Sequence, residues 1–366
     1  MKVLVLGVRG IPGVPGGVET HAEQLYSRLA AMGCRVEVVV RTPFVPRDAR
    51  TCGAVRLKRL WAPRVPGAEA LVHSVLAVLY AAVARPDIVH IHAVGPAIVT
   101  PLARLLGLRV VVTHHGPDYE RDRWGPFARW VLRSGERVGM RYSAARIAIS
   151  GVIATLIRSA HGRDADLIPN GVVCGGPRTG ADLVRRFGLE PGRYFLQVGR
   201  FVPEKRQLDL IEAYRSLDRT QWKLALVGGL GEDDYARRVR AAAREAGAVL
   251  TGMQRGTALD QLYANAGAFV LPSSHEGLPI ALLEALGAGL PAIASAIPAH
   301  LEITLPRESY FPVGDVPALA ARLREMEAVR PDEAARVARR EWVRRTYDWD
   351  RVAAQTLAVY RRLLAG

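Results

Sequence analysis

The hydrophobic pattern of this chain changes period again and again, and that alternation limits its fold more than any single motif. Short β-branched runs at 3–6, 36–40, 55–60, 88–91, 110–113 and 147–149 alternate with stretches whose apolar residues recur at helical spacing. The count then restarts at 194–198, 223–227, 249–250, 268–271 and 291–294. Strands alternating with helices predict parallel sheets covered by helices. A helix over 18–32 stops at Gly33, a natural C-cap, and a last helix over 350–364 follows the aromatic cluster Trp342, Tyr347 and Trp349. Between the two series, 170–177 (Asn-Gly-Val-Val-Cys-Gly-Gly-Pro) reads as a linker. The length of 366 residues suits two domains, each with its own core. The expectation is an α/β protein of two doubly wound domains facing each other across a cleft.

Composition removes several other classes. Hydrophobic residues make up 49% of the chain, too many for a disordered protein. The apolar stretch 71–83 is shorter than a bilayer span and contains His73 and Ser74, so it reads as a packed helix. The chain opens directly on a strand, and no signal peptide is expected. Three widely spaced cysteines (Cys34, Cys52, Cys174) fit a reducing compartment and neither a disulfide frame nor a zinc site. The expected location is cytoplasmic, or peripheral on the cytosolic face of the inner membrane. The net charge of +15 is concentrated in residues 1–170, which hold 23 Lys and Arg against 12 Asp and Glu. That asymmetry favours an acidic partner for the first half: a phosphate-bearing acceptor, an anionic membrane surface or nucleic acid.

Three segments carry the chemistry. The run Pro272-Ser273-Ser274-His275-Glu276-Gly277-Leu278-Pro279-Ile280 follows an apolar strand and feeds a helix that contains Glu284. A strand that turns into a helix N-terminus presents free N–H groups to an anionic or hydroxyl-rich ligand. Glu276 at the turn can accept hydrogen bonds from sugar hydroxyls, and Glu284, about two turns on, stays on roughly the same side. A second segment, Gly199-Arg200-Phe201-Val202-Pro203-Glu204-Lys205, sets a planar guanidinium and a mobile ammonium at a helix start, a pair suited to a diphosphate. The third is the loop from Gly7 to Thr20, whose paired Gly16-Gly17 precedes a helix opening with Glu19. A glycine-dense turn between strand and helix is a phosphate cradle in many α/β folds. It lacks the G-x-G-x-x-G fingerprint, and the second strand ends in Val40-Arg41 rather than an acid, which argues against an NAD-dependent oxidoreductase.

The Glu276 run with Glu284 resembles the E-x7-E motif of retaining nucleotide-sugar glycosyltransferases of the GT-B fold, family 4 (glycosyl transferases group 1). The segment from Gly199 to Lys205 is similar to that family's G-R-x-x-x-E-K pattern. Arg9-Gly10-Ile11-Pro12 with Gly16-Gly17-Val18-Glu19-Thr20 resembles bacterial members that build surface polysaccharides, including rhamnosyltransferase-like ones. The resemblance covers nearly the whole chain. It implies two Rossmann-like domains: 1–172 on the acceptor side, 173–348 binding the donor, and 349–366 as a helix crossing back to the first. It implies that Arg200 and Lys205 stabilise the leaving nucleoside diphosphate, and that Glu276 positions the sugar without acting as a covalent nucleophile. Gly16, Gly17, Gly277, Leu278, Pro279, Ile280 and Glu284 would line the donor, with Gly228, Met253 and Leu259 toward the base. Gly277-Leu278-Pro279 stands where Gly-Phe-Gly is more usual, and so keeps open a catalytically silent binding subunit of the same fold. His115, in Thr113-His114-His115-Gly116, is similar to the family's strand-end histidine near the sugar. No cofactor and no essential metal are implied.

Other residues lie outside these motifs. His90, His92, His114 and His115 end two strands, and with Asp118 they raise a metal site as an alternative. His21 serves packing or function equally well. Arg129, Arg133, Arg137 and Arg141 recur every four residues as one basic stripe, with Phe127, Trp130, Val131 and Val138 as an adjoining apolar strip and Gly135 and Gly139 weakening the helix. That pattern suits an anionic membrane or a lipid-linked phosphate. Nucleic acid is the rival partner, but no recognised binding module accompanies the charge. The expected partners are a nucleotide-sugar donor and a glycan or lipid-linked acceptor.

Overall fold

The structure is a computed structural model that describes every residue except 66–67, 122–123, 174–179, 219, 230 and 330–331. It divides into two compact units, Met1–Gly171 with Trp349–Gly366, and Val172–Asp348. Residues 174–177 of the expected linker lie outside the described residues.

The first unit runs β1 (Lys2–Leu6), α1 (Gly17–Ala31), β2 (Arg35–Arg41), β3 (Thr51–Cys52), β4 (Val55–Leu60), α2 (Ala68–Ala84), β5 (Ile88–His92), α3 (Thr100–Leu105), β6 (Val110–His114), α4 (Pro126–Tyr142), β7 (Ala145–Ala148), α5 (Gly151–His161) and β8 (Asp166–Leu167). Its sheet order is β3-β4-β2-β1-β5-β6-β7-β8, parallel except for the β3–β4 pair. Strands covered on both faces are mostly apolar, and β6, Val-Val-Val-Thr-His, is buried at every position, with its two polar side chains hydrogen-bonded to His90 and to the Gly116 N–H. The expected helix over 18–32 is α1, stopped where Gly33 takes φ +89° and its N–H bonds back to Ala30 O.

The second unit runs α6 (Asp182–Arg186), β9 (Tyr194–Val198), α7 (Gln207–Arg215), β10 (Lys223–Val227), α8 (Asp234–Glu245), β11 (Val249–Gly252), α9 (Gly256–Asn265), β12 (Ala268–Leu271), α10 (Ile280–Gly287), β13 (Ala292–Ser295), α11 (Pro298–Leu301), β14 (Tyr310–Phe311), α12 (Val316–Ala328) and α13 (Glu333–Thr346). Its strands are parallel in the order β11-β10-β9-β12-β13-β14, over a core that includes Phe195, Leu210, Leu226, Val270, Ile293 and Leu319. The chain then returns to the first unit as α14 (Trp349–Ala365), which packs on α1. Trp349, Val352, Leu357 and Tyr360 join the core around Val3, Leu25 and Tyr26. Each such side chain contributes about 1.5–3 kcal/mol by leaving water, so α14 is an integral part of the first unit.

In open parallel sheets, ligands collect at the carboxyl ends of strands where the winding order reverses. In the second unit that point lies between β9 and β12, which puts the loops 199–206 and 272–279 side by side. In the first unit it lies between β1 and β5, beside the glycine-rich loop and His92. Gly7 (φ +101°) allows that approach: a Cβ there would sit 2.2 Å from the His92 carbonyl oxygen.

Candidate active site

Lys205 and Glu276 meet across the reversal point of the second unit. The Lys205 ammonium donates to Glu276 Oε1 at 2.5 Å, and Ser273 Oγ donates to the same oxygen at 2.8 Å. Burial pushes the Glu276 carboxyl up, but the Lys205 charge, assisted by His300 and by hydrogen bonds from Lys205 and Ser273, holds it below the usual range. The Ser274 N–H donates to the Glu204 carbonyl at 2.9 Å, a second tie between the two loops. Gln207 holds Arg200 in turn, its amide donating to the Arg200 carbonyl at 2.9 Å. The Arg200 guanidinium stands 4.0 Å from Glu204 and is partly exposed.

Beyond Glu276 the backbone enters α10 with Pro279 at the cap and no side chain bonded to the first N–H groups. Those donors and the positive end of the helix suit a ligand carrying negative charge. Gly277 is half-buried, Leu278 and Pro279 are buried, and Ile280 begins the helix. Glu284, one turn in, accepts from the Tyr263 hydroxyl at 2.8 Å. Burial raises its titration to about 7, Tyr263 opposes this, and Asp260 adds to it. The two carboxylates of the motif therefore differ in state, one ionised by pairing and one half-protonated near neutrality.

The other expected donor residues follow neighbouring strands. Gly228 follows β10 so close to the residue after β9 that a Cβ would stand 2.1 Å from the Gly199 carbonyl oxygen. Met253, after β11, is 45% exposed and lies over Gly229, whose Cβ would stand 3.0 Å from the Met253 methyl. Leu259 is half-buried on α9. Two groups in this region escaped the sequence reading. His300 on α11 is buried, its Nδ1 on the Ser295 carbonyl at 2.8 Å and its Nε2 without a hydrogen-bond partner among the described residues. Gln197 on β9 is fully buried with both amide atoms likewise unpartnered. No local pattern of residue types marks either one, since what distinguishes them is burial set by the fold.

The first unit holds the histidines in one buried chain of hydrogen bonds. The His90 Nε2 meets Thr113 Oγ1 at 2.7 Å, and its Nδ1 meets the Tyr360 and Tyr26 hydroxyls at 2.5 and 2.8 Å. Tyr26 reaches His92 Nε2 at 2.5 Å, and His92 Nδ1 shares a hydrogen bond of 2.9 Å with His115 Nε2. Burial, together with neighbouring histidines, pushes His92 and His115 well below the ordinary imidazole range, and burial takes His90 to about 3. His115 is therefore a neutral hydrogen-bonding group at pH 7 and not a cation. His21 completes the cluster, bonded to Asn170 Oδ1 at 2.9 Å. One ring nitrogen from each of His21, His92 and His115 lies within 4.8 Å of the others. A tetrahedral zinc site with bonds of 2.0–2.1 Å has edges of roughly 3.4 Å, so these rings would have to contract to hold an ion. Asp118, offered as a further ligand, instead pairs with Arg121 at 2.7 Å.

Gly16 and Gly17 open α1. At Gly16 (φ +148°) a Cβ would strike Glu19 Oε2 and Arg9 Nη2, because Arg9 and Glu19 pair at 2.9 Å beneath the loop. The N-terminal end of this helix thus already carries a buried carboxylate, while Gly17 has open space beside it.

On α4 the structure corrects the expected stripe. Arg133, Arg137 and Arg141 are exposed with Phe127 and Trp130 on the same outer surface, but Arg129 is half-buried, its Nε without a partner among the described residues. Four-residue steps on a helix of 3.6 residues per turn drift by about 40° each, which carries Arg129 toward the packed side. Gly135 and Gly139 are no simple weakness either. A Cβ at Gly135 would lie 2.2 Å from the Val94 carbonyl oxygen, and one at Gly139 would lie 2.7 Å from Ala97 Cβ, so both admit close packing against 94–98. Glu136, between them, accepts from His161 at 2.8 Å and lies 3.7 Å from His114.

Two parallel α/β units, the second with an Arg, Lys and paired-Glu site at its reversal point, are the anatomy of a GT-B glycosyltransferase. The comparisons specify the family. Residues 184–341 match the model for glycosyl transferases group 1, and residues 15–175 match that for glycosyltransferase family 4. The chain belongs to the group 1 glycosyltransferases of GT-B fold and is an enzyme of sugar transfer. It is 29% identical to the GDP-mannose-dependent alpha-(1-6)-phosphatidylinositol monomannoside mannosyltransferase of Mycobacterium tuberculosis, with 97% of each chain covered. Its match to the O-antigen chain mannosyltransferase B of Escherichia coli, at 27% identity, spans about half of each chain (51%). The sucrose-phosphate synthase of Thermosynechococcus elongatus superimposes with a TM-score of 0.85 at 25% identity, covering 100% of this chain and 99% of that one.

Proposed function

We propose that this enzyme moves a sugar from a nucleoside-diphosphate donor to a cell-envelope glycan or lipid-linked acceptor with retention at the anomeric carbon. The observation that carries the reading is the Lys205–Glu276 pair, set across the reversal point with Arg200 beside it and an uncapped helix N-terminus after it. A diphosphate in that position meets Arg200, Lys205 and the first N–H groups of α10. As the bond between the anomeric carbon and the phosphate oxygen breaks, the electron pair stays on the phosphate, and these groups stabilise the charge where it grows. The acceptor hydroxyl attacks from the same face and gives its proton to the leaving phosphate. Glu276, kept ionised by Lys205, takes hydrogen bonds from the sugar hydroxyls, and Glu284 takes them from the ribose. Inverting and retaining hydrolases set two carboxyls on opposite sides of the bond, whereas here both belong to one turn and one helix. His115, neutral, serves as a hydrogen-bonding group and needs no metal.

The first unit is assigned the acceptor. The outer face of α4, with Phe127 and Trp130 76% and 63% exposed and three arginines in line, suits an anionic membrane surface on which a lipid-linked acceptor resides. Among the described residues no helix is long and apolar enough to cross a membrane, so association would be peripheral. The relative that uses GDP-mannose on a phosphatidylinositol mannoside is in keeping with both halves of this reading.

A thermal-shift screen against UDP, GDP, ADP, dTDP and their sugars tests it. The expected result is stabilisation by one nucleotide, weakened in Arg200→Ala and Glu284→Ala, and a product that keeps the donor's anomeric configuration by NMR. A folded protein that none of them stabilises, or an inverted product, would overturn it.

A further inference from the structure

A cavity lies in the first unit, at the carboxyl ends of β2 and β4. These strands pair in parallel, Val40 beside Arg59 and Arg41 beside Leu60. The segments leaving them enclose about 460 Å³ lined by Thr42, Arg47, Arg59, Trp61 and Arg64 among others. Among the described residues no carboxylate lines it, and none of the three arginines has an acidic partner. The Arg59 Nη1 donates to the Arg47 carbonyl at 2.8 Å. Its Nε is buried with no acceptor among the described residues. Arg47 and Arg64 are exposed beside it, and three guanidinium groups lining one cavity suit an oxyanion. Beside it the Trp61 ring is 60% exposed, a flat apolar surface against which a pyranose can lie.

We infer that this cavity binds a phosphate- or diphosphate-bearing carbohydrate, the anionic end of the acceptor, whether it travels free or on a lipid. Three guanidinium forks answer the phosphate oxygens, and Trp61 answers the sugar. The volume is at the smaller end of small-molecule pockets and matches one sugar with its phosphates better than a long glycan. The carboxyl edge that carries the cavity also carries His92 and His115. The word acceptor rests on the function proposed above; the binding of the anion does not.

The test uses the full chain and separates this site from the donor site. Inorganic pyrophosphate and glucose 1-phosphate are titrated by calorimetry into protein carrying Arg200→Ala, which weakens their binding at the donor site, and the difference between this protein and the cavity variants made in it is read. Both should bind, roughly tenfold more weakly after Arg59→Gln and below detection after Arg47→Gln/Arg59→Gln/Arg64→Gln. Trp61→Ala should weaken glucose 1-phosphate and leave pyrophosphate unchanged. Vesicles of phosphatidylcholine with and without farnesyl diphosphate form the other arm. Binding in solution points to a soluble acceptor and binding only on the doped vesicles to a lipid-borne one, and either supports the site. Binding in neither arm, or equal binding by the triple variant, overturns it. Circular dichroism and the nucleotide thermal shift of the triple variant guard the interpretation. A donor shift that persists while anion binding is unchanged sinks only this inference, and a donor shift absent from wild type sinks the proposed function.

Discussion

Replacing Glu284 with Gln should make the protein more resistant to alkaline pH while weakening its hold on nucleotide. Glu284 titrates near 7 in the fold, against 4.5 ordinarily, because burial disfavours its ionised form. A carboxyl raised in this way leaves stability untouched at low pH, where folded and unfolded chains are both protonated. As pH rises above 4.5 the unfolded chain releases the proton first, and stability falls until the folded carboxyl has ionised as well, just above 7. Between about pH 5 and pH 8 the loss comes to roughly 2.5 kcal/mol, at 1.36 kcal/mol for each factor of ten in proton affinity. Gln keeps an acceptor for the Tyr263 hydroxyl and does not titrate. Urea unfolding of both proteins at pH 5, 6, 7 and 8 isolates the residue, since every other group is common to the two curves. The difference should grow in favour of the variant by roughly 2.5 kcal/mol across that range. Nucleotide affinity should move the opposite way: ribose hydroxyls donate to a carboxylate, so wild-type affinity should rise through pH 7 while the variant stays weak and flat. Parallel stability curves would show that Glu284 is not held protonated by its surroundings, and the argument would fail at its first step.

Other perturbations probe the remaining contacts. Gly135→Ala gains about 1 kcal/mol of helix propensity but sets a methyl group 2.2 Å from the Val94 carbonyl oxygen, so a net loss of about 1–2 kcal/mol is expected in urea unfolding. A stabilised variant would mean that α4 does not pack closely there. Lys205→Ala strands a mostly buried Glu276 and should cost about 3 kcal/mol; the double variant with Glu276→Ala should cost less than the sum of the two, and an additive cycle would deny the pair. Ser150→Ala removes the hydroxyl that caps α5 through the Ile153 N–H and should cost about 1 kcal/mol by the same measurement, with no change counting against the cap. Changing Arg133, Arg137 and Arg141 to Gln together should lower recovery on anionic liposomes, whereas Arg129→Gln, on the packed side, should leave it unchanged; equal recovery by all variants would remove the membrane proposal.

The parts of this molecule that could be read from sequence are those in which one short segment carries both the element and its chemistry. The run from Pro272 to Glu284 holds a strand end, a turn and a helix start, and parallel pairing of β12 with β9 then sets it beside Gly199 to Lys205. The short edge strands β3, β8 and β14, two residues each, give no period to detect. What stayed hidden depends on partners distant in the chain. His21 bonds to Asn170 across 149 positions, and His90 bonds to Tyr360 across 270. Arg47, Arg59, Trp61 and Arg64 look like scattered surface residues until β2 and β4 bring their ends together. Gly135 and Gly139 were the instructive case, since propensity alone judges them as defects on a helix. Their cost of roughly 1 kcal/mol each is offset by a packing distance that no side chain would permit. The same packing holds α4 with its arginines outward, so two residues that oppose the helix locally determine which of its faces is left for a partner.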